Sequence, residues 1–328
     1  MKVENFKPFD GQHCETTATG SLLSQLEIDL SEPMLFGLGE GLGYIFWNMK
    51  MMDFPFIGGR IKPDVLTENI CRNLNLDLET FETSSKKKAW QYVDKHLQRG
   101  QAVGLKLDCY HLEYFTSKIH FAGHYVAMYG YDDQNAFLVD TAQQGKAVQT
   151  SLTSLGRARN EKGPMSSKNL AYVIHRQGEV IDLAQAVKHA ITNNAKEYLK
   201  PTIKNFNYKG ILKTSTEIKK WFAKSENRKR DFQASAMMME KAGTGGALFR
   251  NLYRDFLKEA FQLTKINAIS DAYHDFIEIA KMWTEVAHLF SQVIDDESIM
   301  YIDSASDLLK KLSVLEFEAM SKLVLIDT

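Results

Sequence analysis

Three residues of this chain have the types and the order needed for nucleophilic acyl chemistry. Cys14 lies at the start of an apolar run that predicts a helix, His124 opens a β-rich segment, and Asp140 ends the next one. A helix N-terminus presents unpaired N–H groups and a partial positive charge, so it favours the thiolate of a cysteine placed there. A histidine can take the proton and return it, and an aspartate beside it can hold the imidazole tautomer. The order predicts Cys14 as nucleophile, His124 as base and acid, and Asp140 as the residue that orients His124.

The sequence between His124 and Asp140 predicts that these two side chains come together. Segments with alternating apolar residues at 124–130 and 136–140 flank the turn sequence 131–135, which is rich in Asp and Asn. This pattern is typical of a β-hairpin. In an antiparallel hairpin, residues near the open ends of the two strands lie alongside each other.

A structural role is the alternative for each of these residues. A cysteine in a soluble protein is more often a small buried hydrophobe, and a histidine at a strand start is more often satisfied by its neighbours. We expect structural roles for Cys71, within an amphipathic helical pattern, and for Cys109, at a strand end. The three cysteines include no CxxC pair and no His/Cys cluster with zinc-ligand spacing. They predict a reducing compartment, no disulfide framework, no metal and no cofactor.

The elements that must position the three residues indicate an α+β fold in the first half of the chain. Helical patterns cover 14 to about 27, 65–74 and 86–97, and strand patterns cover 44–47, 53–57, 102–107, 124–130, 136–140 and 170–175. A glycine-dense turn precedes the first strand at 36–43, Gly58-Gly59-Arg60 ends the second, Gly100 ends a helix, and 160–167 form a loop.

From about Asp182 onward the pattern is almost wholly helical. Apolar residues spaced three and four apart form a seam at Ile269, Tyr273, Phe276, Ala280, Trp283, Ala287 and Phe290. Thr244-Gly245-Gly246 introduces another apolar helix. A chain of 328 residues is too long for one typical core. We predict a catalytic domain at 1–180 and a helical bundle domain at 181–328.

The composition is that of an ordinary soluble globular protein, with 44% hydrophobic and 25% charged residues. A formal net charge of −1 argues against nucleic acid as a partner, because its binding needs a strongly basic domain. The first residues lack the apolar stretch of a signal peptide, and no run approaches the roughly 18 to 20 apolar residues of a membrane span. We therefore expect a cytoplasmic protein with neither a nucleic-acid nor a membrane partner.

Several motifs together resemble the family of the butirosin-biosynthesis protein H N-terminal domain, which is often followed by a helical domain of unknown function. They are His13-Cys14 with its trailing threonines, Gly37-Leu38-Gly39-Glu40-Gly41-Leu42-Gly43, Gly58-Gly59-Arg60, Asp108 with Tyr110, Leu112 and Tyr114, Gly123-His124-Tyr125-Val126, Gly130-Tyr131-Asp132 and Val139-Asp140. Gly243-Thr244-Gly245-Gly246 leading to Phe249-Arg250-Asn251-Leu252-Tyr253 resembles the helical companion domain. The resemblance covers nearly the whole chain.

The resemblance implies a papain-like cysteine fold used for acyl transfer in secondary metabolism, such as antibiotic biosynthesis. The family's namesake is similar to a transferase that moves an aminoacyl group from an acyl-carrier-protein thioester to an amine of an aminoglycoside. Carried over to this chain, the resemblance implies that Cys14 is acylated, that His124 is base and acid, and that Asp140 orients it. It also implies a small-molecule amine or peptide substrate and an acyl-carrier protein as partners. No acceptor pocket is recognisable in the sequence, so the namesake's own substrate is not carried over.

An oxyanion hole needs two donors aimed at the developing charge. The Cys14 backbone N–H is the natural first donor, and Gln12 is a candidate for the second. Gln12 lies only two residues upstream, closer than the glutamine of bacteriocin-processing and papain-type peptidases, and His13 is the alternative. Glu40, in the glycine-rich turn, is a candidate for binding an amine acceptor; its alternative role is to accept hydrogen bonds from neighbouring backbone.

Three hypotheses about function remain open at the level of sequence. The first is a cysteine acyltransferase that acts on a thioester donor. The second is a cysteine amidase or peptidase with the same triad, because related papain-like proteins hydrolyse amides or peptides. The third is a binding module without catalytic activity, whose helical domain recruits a partner and whose Cys14 is vestigial. Under any of the three, the helical domain is a candidate surface for oligomer formation.

Overall fold

The structure, a computed structural model, describes residues 1–50, 52–116, 118–163, 166–178 and 182–326. The chain forms two compact units, and each unit is built from two separate segments. The first unit comprises Met1–Leu35 and Pro63–Ile181, and the second comprises Phe36–Lys62 and Asp182–Thr328.

The helices and strands of the described residues follow one another in this order: α1 (Cys14–Gln25), α2 (Glu32–Leu38), β1 (Leu42–Trp47), β2 (Phe56–Arg60), α3 (Val65–Asn73), β3 (Leu76–Phe81), α4 (Lys86–Leu97), β4 (Val103–Leu107), β5 (His124–Tyr131), β6 (Asn135–Val139), β7 (Ala147–Ser151), α5 (Leu152–Asn160), β8 (Ala171–Arg176), α6 (Leu183–Leu199), α7 (Asn207–Lys224), α8 (Arg228–Lys241), α9 (Arg250–Thr264), α10 (Asn267–Asp296) and α11 (Ile299–Leu323). Single 3₁₀ turns lie at Cys109–His111, Ala142–Gln144 and Ala247–Phe249.

A six-stranded antiparallel sheet forms the centre of the first unit. Its strand order is β3-β8-β4-β5-β6-β7. The inner strands carry fully buried apolar side chains, among them Leu105, Val126, Leu138 and Val173. Helix α1 packs against β5, so this strand is buried along most of its length. The first turn of α1 is thereby held beside the start of β5.

The register of the hairpin β5–β6 explains how His124 and Asp140 meet. Ala127 pairs with Val139, so continuing the ladder by one position sets Asp140 opposite Val126. His124 lies two residues before Val126 and therefore points to the same face of the sheet. Diagonal neighbours of this kind are within reach of long side chains.

The second unit combines the antiparallel hairpin of β1 and β2 with helices α6 to α11. The predicted seam of α10 is confirmed in its main part, since Ile269, Phe276, Trp283 and Phe290 are fully buried. Helix α10 packs against α8, α9 and α11, and α11 packs against α7. The hairpin joins this core through main-chain and side-chain hydrogen bonds of Asn205 with Phe46.

The predicted α+β class is confirmed, with an N-terminal helix, an antiparallel sheet and a C-terminal helical region. The domain prediction of 1–180 and 181–328 assigned one continuous segment to each domain. The compact units instead place residues 36–62 with the C-terminal helices. The reason is that β1 contacts the C-terminal helices: the Tyr44 hydroxyl lies 2.6 Å from the Thr214 hydroxyl on α7.

The structure also differs from the sequence predictions at two glycine-containing segments and at the edge strands of the six-stranded sheet. The strand predicted at 53–57 was expected to stop at Gly58-Gly59-Arg60, but β2 runs from Phe56 through these three residues to Arg60. A Cβ atom at Gly59 would collide with the carbonyl oxygen of Leu248, so a close backbone approach requires glycine there. The helix predicted directly after Gly246 begins at Arg250 instead, since Ala247, Leu248 and Phe249 have φ of 50°, 49° and 73°.

The strands β3 and β7 and the helix α5 were not predicted. Both strands lie at sheet edges, where solvent-facing polar residues weaken the apolar signal.

Among the residues that the structure describes, no helix is both long enough and apolar enough to cross a membrane.

Candidate active site

Cys14 is the first residue of α1, and its side chain is 8% exposed. The helix starts here because His13 takes an extended conformation, with φ −95° and ψ 130°. The Thr17 hydroxyl donates to the His13 carbonyl oxygen at 2.7 Å and fixes this first turn. The first N–H groups of a helix have no partner within it. The Cys14 sulfur therefore sits at the positive end of the helix dipole, next to donors suited to an anion.

His124 is bound tightly to Asp140. Its Nε2 lies 2.8 Å from Oδ2 of Asp140, whose side chain is fully buried. The same Oδ2 accepts a hydrogen bond from the Tyr114 hydroxyl at 2.7 Å, and Oδ1 accepts one from the Thr141 backbone N–H at 2.6 Å. The edge-to-face ring of Phe115 packs on the imidazole at 5.2 Å. Asp140 is thus held at both oxygens and fixes the orientation of the imidazole.

The Cys14 side chain completes the arrangement through a hydrogen bond with His124. Because Nε2 faces Asp140, Nδ1 is the ring nitrogen left for the sulfur. Burial lowers the pKa of His124, but the Asp140 carboxylate and the Cys14 side chain outweigh burial and raise this pKa well above its usual value. The site therefore favours an imidazolium held between the sulfur and a carboxylate.

Glu32, which sequence reasoning missed, holds the segment that leads into Cys14. Its carboxylate accepts hydrogen bonds from the backbone N–H groups of Gln12 at 2.9 Å and His13 at 2.8 Å, and from the Thr16 hydroxyl at 2.8 Å. Burial raises the pKa of Glu32, and these three hydrogen bonds oppose the rise. A glutamate at the start of a short helix, as in Ser31-Glu32-Pro33, gives no sequence signal for such a contact.

The other predicted site residues fall in different surroundings. The backbone N–H groups of Gln12 and His13 are both bonded to Glu32, so a second oxyanion donor from either residue would have to be a side chain. The Gln12 side chain is exposed, whereas the His13 ring is buried. Glu40 belongs to the second unit, where it is buried with φ 53° and accepts a hydrogen bond from Asn193 at 3.5 Å. Its role in binding an amine stays a prediction.

The remaining cysteines differ from Cys14 in their surroundings. All three are free thiols. Burial raises the pKa of Cys71 to about 12. Burial also raises the pKa of Cys109, although His124 opposes the rise. Both groups are held as neutral thiols, in keeping with the structural roles predicted for them.

The fold and these contacts define a class: an α+β protein with a cysteine at a helix start, facing a histidine that a buried aspartate orients. Residues 13–141 match the family model described as butirosin biosynthesis protein H, N-terminal. Residues 153–323 match the model of a domain of unknown function, DUF4872. The chain therefore belongs to the DUF4872 family, and its residues 13–141 form a butirosin biosynthesis protein H N-terminal domain, which connects this part of the chain with biosynthetic proteins. A search of curated proteins gave no match.

Replacing Asp140 by asparagine is expected to slow the alkylation of Cys14 at neutral pH. With the carboxylate removed, burial dominates, and the pKa of His124 falls. The imidazolium that supports the thiolate is then lost at a lower pH than in the wild type. The Cys14 sulfur then lacks the cationic partner that favours the reactive thiolate form of a cysteine. We expect alkylation by iodoacetamide at pH 7 to slow on the order of 10-fold.

The matched control is Asp133→Asn, an exposed position in the turn of the same hairpin. Its alkylation profile between pH 5 and 9 should overlay that of the wild type. Proton NMR of the imidazole rings gives the second readout, with the His124 titration moving to lower pH in Asp140→Asn. An unchanged His124 titration in that variant would contradict the assigned cause.

Proposed function

We propose that this chain is a cysteine-dependent acyltransferase that carries its acyl group on Cys14. The observation that supports the proposal is the chain of contacts from the Cys14 side chain through His124 to the buried Asp140. A fixed imidazole between a thiol and a carboxylate is the arrangement that activates a cysteine nucleophile. Family membership supports a biosynthetic setting, and transfer of an acyl group is a biosynthetic reaction.

In the first step, the Cys14 thiolate attacks the carbonyl carbon of a thioester donor. A tetrahedral intermediate forms, and its oxyanion needs donors; the Cys14 backbone N–H at the start of α1 is placed to be the first. We assign the second to a side chain of Gln12 or His13. When the intermediate collapses, the carbon–sulfur bond to the donor breaks and the donor thiolate takes the proton from His124. The product of this step is an acyl-Cys14 thioester.

In the second step, an amine attacks acyl-Cys14. His124, now neutral, takes the proton of the attacking nitrogen, and Asp140 stabilises the imidazolium that forms. Breaking the carbon–sulfur bond releases the amide and restores the Cys14 thiolate beside the protonated His124. The donor class that fits this sequence is an acyl or aminoacyl thioester, including one borne by an acyl-carrier protein, and the acceptor class is a small-molecule amine.

Small acyl-pantetheine thioesters test the proposal by intact-mass spectrometry of the whole chain. We expect a single acyl adduct on Cys14 within seconds to minutes, and amide product only when an amine is added. Free acid released at the same rate with and without amine would support the amidase or peptidase alternative and contradict transfer. No adduct, together with a Cys14 that alkylates no faster than a free thiol, would contradict both enzymatic alternatives and leave the binding module.

A further inference from the structure

A second cluster of chemically active side chains lies in the first unit, and none of its members belongs to the Cys14–His124–Asp140 site. It consists of His111, His120 and Glu161, whose ligand-type atoms all lie within 4.8 Å of one another. The closest pair is Nε2 of His111 with Oε2 of Glu161, at 2.5 Å. His111 and His120 lie on the connection between β4 and β5, whereas Glu161 follows α5, so the spacing in the sequence does not announce the cluster.

The backbone positions of His111 and Glu161 are fixed by neighbouring elements. His111 ends the 3₁₀ turn Cys109–His111, and its carbonyl oxygen accepts a hydrogen bond from the Ser154 hydroxyl on α5. Glu161 directly follows α5, and its Oε1 accepts from the Lys162 backbone N–H at 3.0 Å, which leaves Oε2 toward His111. His120 precedes β5 and is the most exposed member, at 58%.

Asp108 orients His120 from behind. Its side chain is 3% exposed, and Oδ1 accepts hydrogen bonds from the backbone N–H groups of Tyr110 at 2.9 Å and Phe121 at 3.0 Å. The other oxygen, Oδ2, lies 3.0 Å from Nδ1 of His120. This contact keeps the proton on Nδ1 and leaves the lone pair of Nε2 for another partner. The Tyr110 ring stacks on the imidazole at 3.9 Å and limits its rotation.

We propose that His111, His120 and Glu161 bind a divalent transition-metal ion, Zn²⁺ being the best match. Two imidazoles and one carboxylate are a ligand set that suits Zn²⁺, and a carboxylate behind a ligating histidine is the usual outer partner of such a site. Two ligand atoms on one Zn²⁺ lie at most about 4.4 Å apart, twice a bond of about 2.2 Å. Binding therefore needs only a small closure, which the exposed His120 side chain can supply. Three protein ligands leave a fourth position for water or an outside ligand.

Titration of the metal-free full chain with ZnCl₂ by calorimetry tests the proposal, with Co²⁺ absorption as the second readout. We expect one ion per chain. The variants His111→Gln, His120→Gln and Glu161→Gln should each weaken binding by at least about 10-fold, and Asp108→Asn by about 10- to 100-fold. The matched control is His274→Gln, an exposed histidine on α10 whose Nδ1 bonds the Ser270 carbonyl of the same helix; its affinity should equal that of the wild type.

The Cys14–His124 pair is the competing metal site, because thiolates also bind Zn²⁺. In Cys14→Ser we expect unchanged stoichiometry and affinity, and no sulfur-to-cobalt charge-transfer band in the Co²⁺ spectrum of the wild type. Binding that disappears in Cys14→Ser but persists in His120→Gln would overturn the proposal, as would no binding at all. Far-UV circular dichroism of every variant shows whether it has the wild-type fold. Where one glutamine variant fails to fold, the other two decide the outcome. The result is independent of whether the chain transfers acyl groups.

Discussion

Cys14→Ala is expected to abolish turnover of a thioester donor while leaving the fold intact. The substitution removes the nucleophile, so no acyl-enzyme forms, and the residual rate should be lower by on the order of 10⁴-fold or more. The fold should survive because only one sulfur atom is lost at the edge of a helix that is anchored elsewhere. The buried Ala18, Leu22 and Leu23 of α1 are untouched by the change. The measurement is the rate of donor thiol release, with far-UV circular dichroism as the check on folding.

Cys71→Ala is the matched control for this prediction. Cys71 is as small and more deeply buried, but its thiol pKa of about 12 excludes a nucleophilic role at neutral pH. Its turnover should equal that of the wild type. Peptide mapping after brief iodoacetamide treatment at pH 6 to 7 gives an independent check, with modification expected at Cys14 and not at Cys71 or Cys109. Turnover retained in Cys14→Ala would refute the mechanism.

Glu316→Gln is expected to lower the free energy of unfolding of the second unit by about 3 to 5 kcal/mol. Glu316 and Arg250 form a fully buried ion pair, with Nε and Nη2 of the guanidinium each 2.9 Å from a carboxylate oxygen. The Trp283 indole N–H also donates to this carboxylate at 2.6 Å, and the Tyr198 hydroxyl donates to it as well. A neutral amide leaves the Arg250 charge buried without its counter-ion, which is the costly way to break such a pair.

Two further variants test whether the loss of stability in Glu316→Gln comes from the Arg250 charge left without its counter-ion. Glu278→Gln breaks an exposed pair with Lys281 on α10, and its urea unfolding curve should overlay that of the wild type. In the background of Arg250→Met, Glu316→Gln leaves no buried charge without its counter-ion and keeps an acceptor for Trp283 and Tyr198, so the same substitution should cost much less stability there than in the wild type. Unfolding followed by far-UV circular dichroism reports mainly on the helices of this unit. An equal loss of stability from Glu316→Gln in the wild-type and Arg250→Met backgrounds would contradict the electrostatic explanation.

The ion pair of Glu316 and Arg250 also explains part of the irregular backbone before α9. The Arg250 Nη1 donates to the carbonyl oxygens of Leu248 at 2.8 Å and Gly59 at 3.0 Å. The Arg250 guanidinium thus donates hydrogen bonds to the Glu316 carboxylate, to the turn at Ala247–Phe249, where φ is positive, and to the end of β2. A non-glycine residue with positive φ persists only where its surroundings over-determine it, and these hydrogen bonds are such a constraint.

The sequence by itself determined the features that depend on local periodicity. Apolar spacing placed α3, α4 and the seam of α10, and alternation around an Asp- and Asn-rich turn placed the hairpin of β5 and β6. The register of that hairpin places the side chains of His124 and Asp140 on the same face of the sheet, so strand geometry alone brings them together. Cys14 before an apolar run marked the start of α1 for the same reason, since helix starts have local signals.

Only the tertiary structure decided the contacts between segments that are far apart in the chain. The support of Asp140 by Tyr114, the grip of Glu32 on the residues before Cys14, and the cluster of His111 with Glu161 all join residues from different elements. The placement of residues 36–62 with the C-terminal helices is of the same kind. A single polar side chain does not produce a periodic pattern in a sequence. Its hydrogen-bond partner depends on how the elements pack against one another. The meeting of His124 with Asp140 was therefore predictable from the sequence, while the groups that hold Cys14 and Asp140 in place were not.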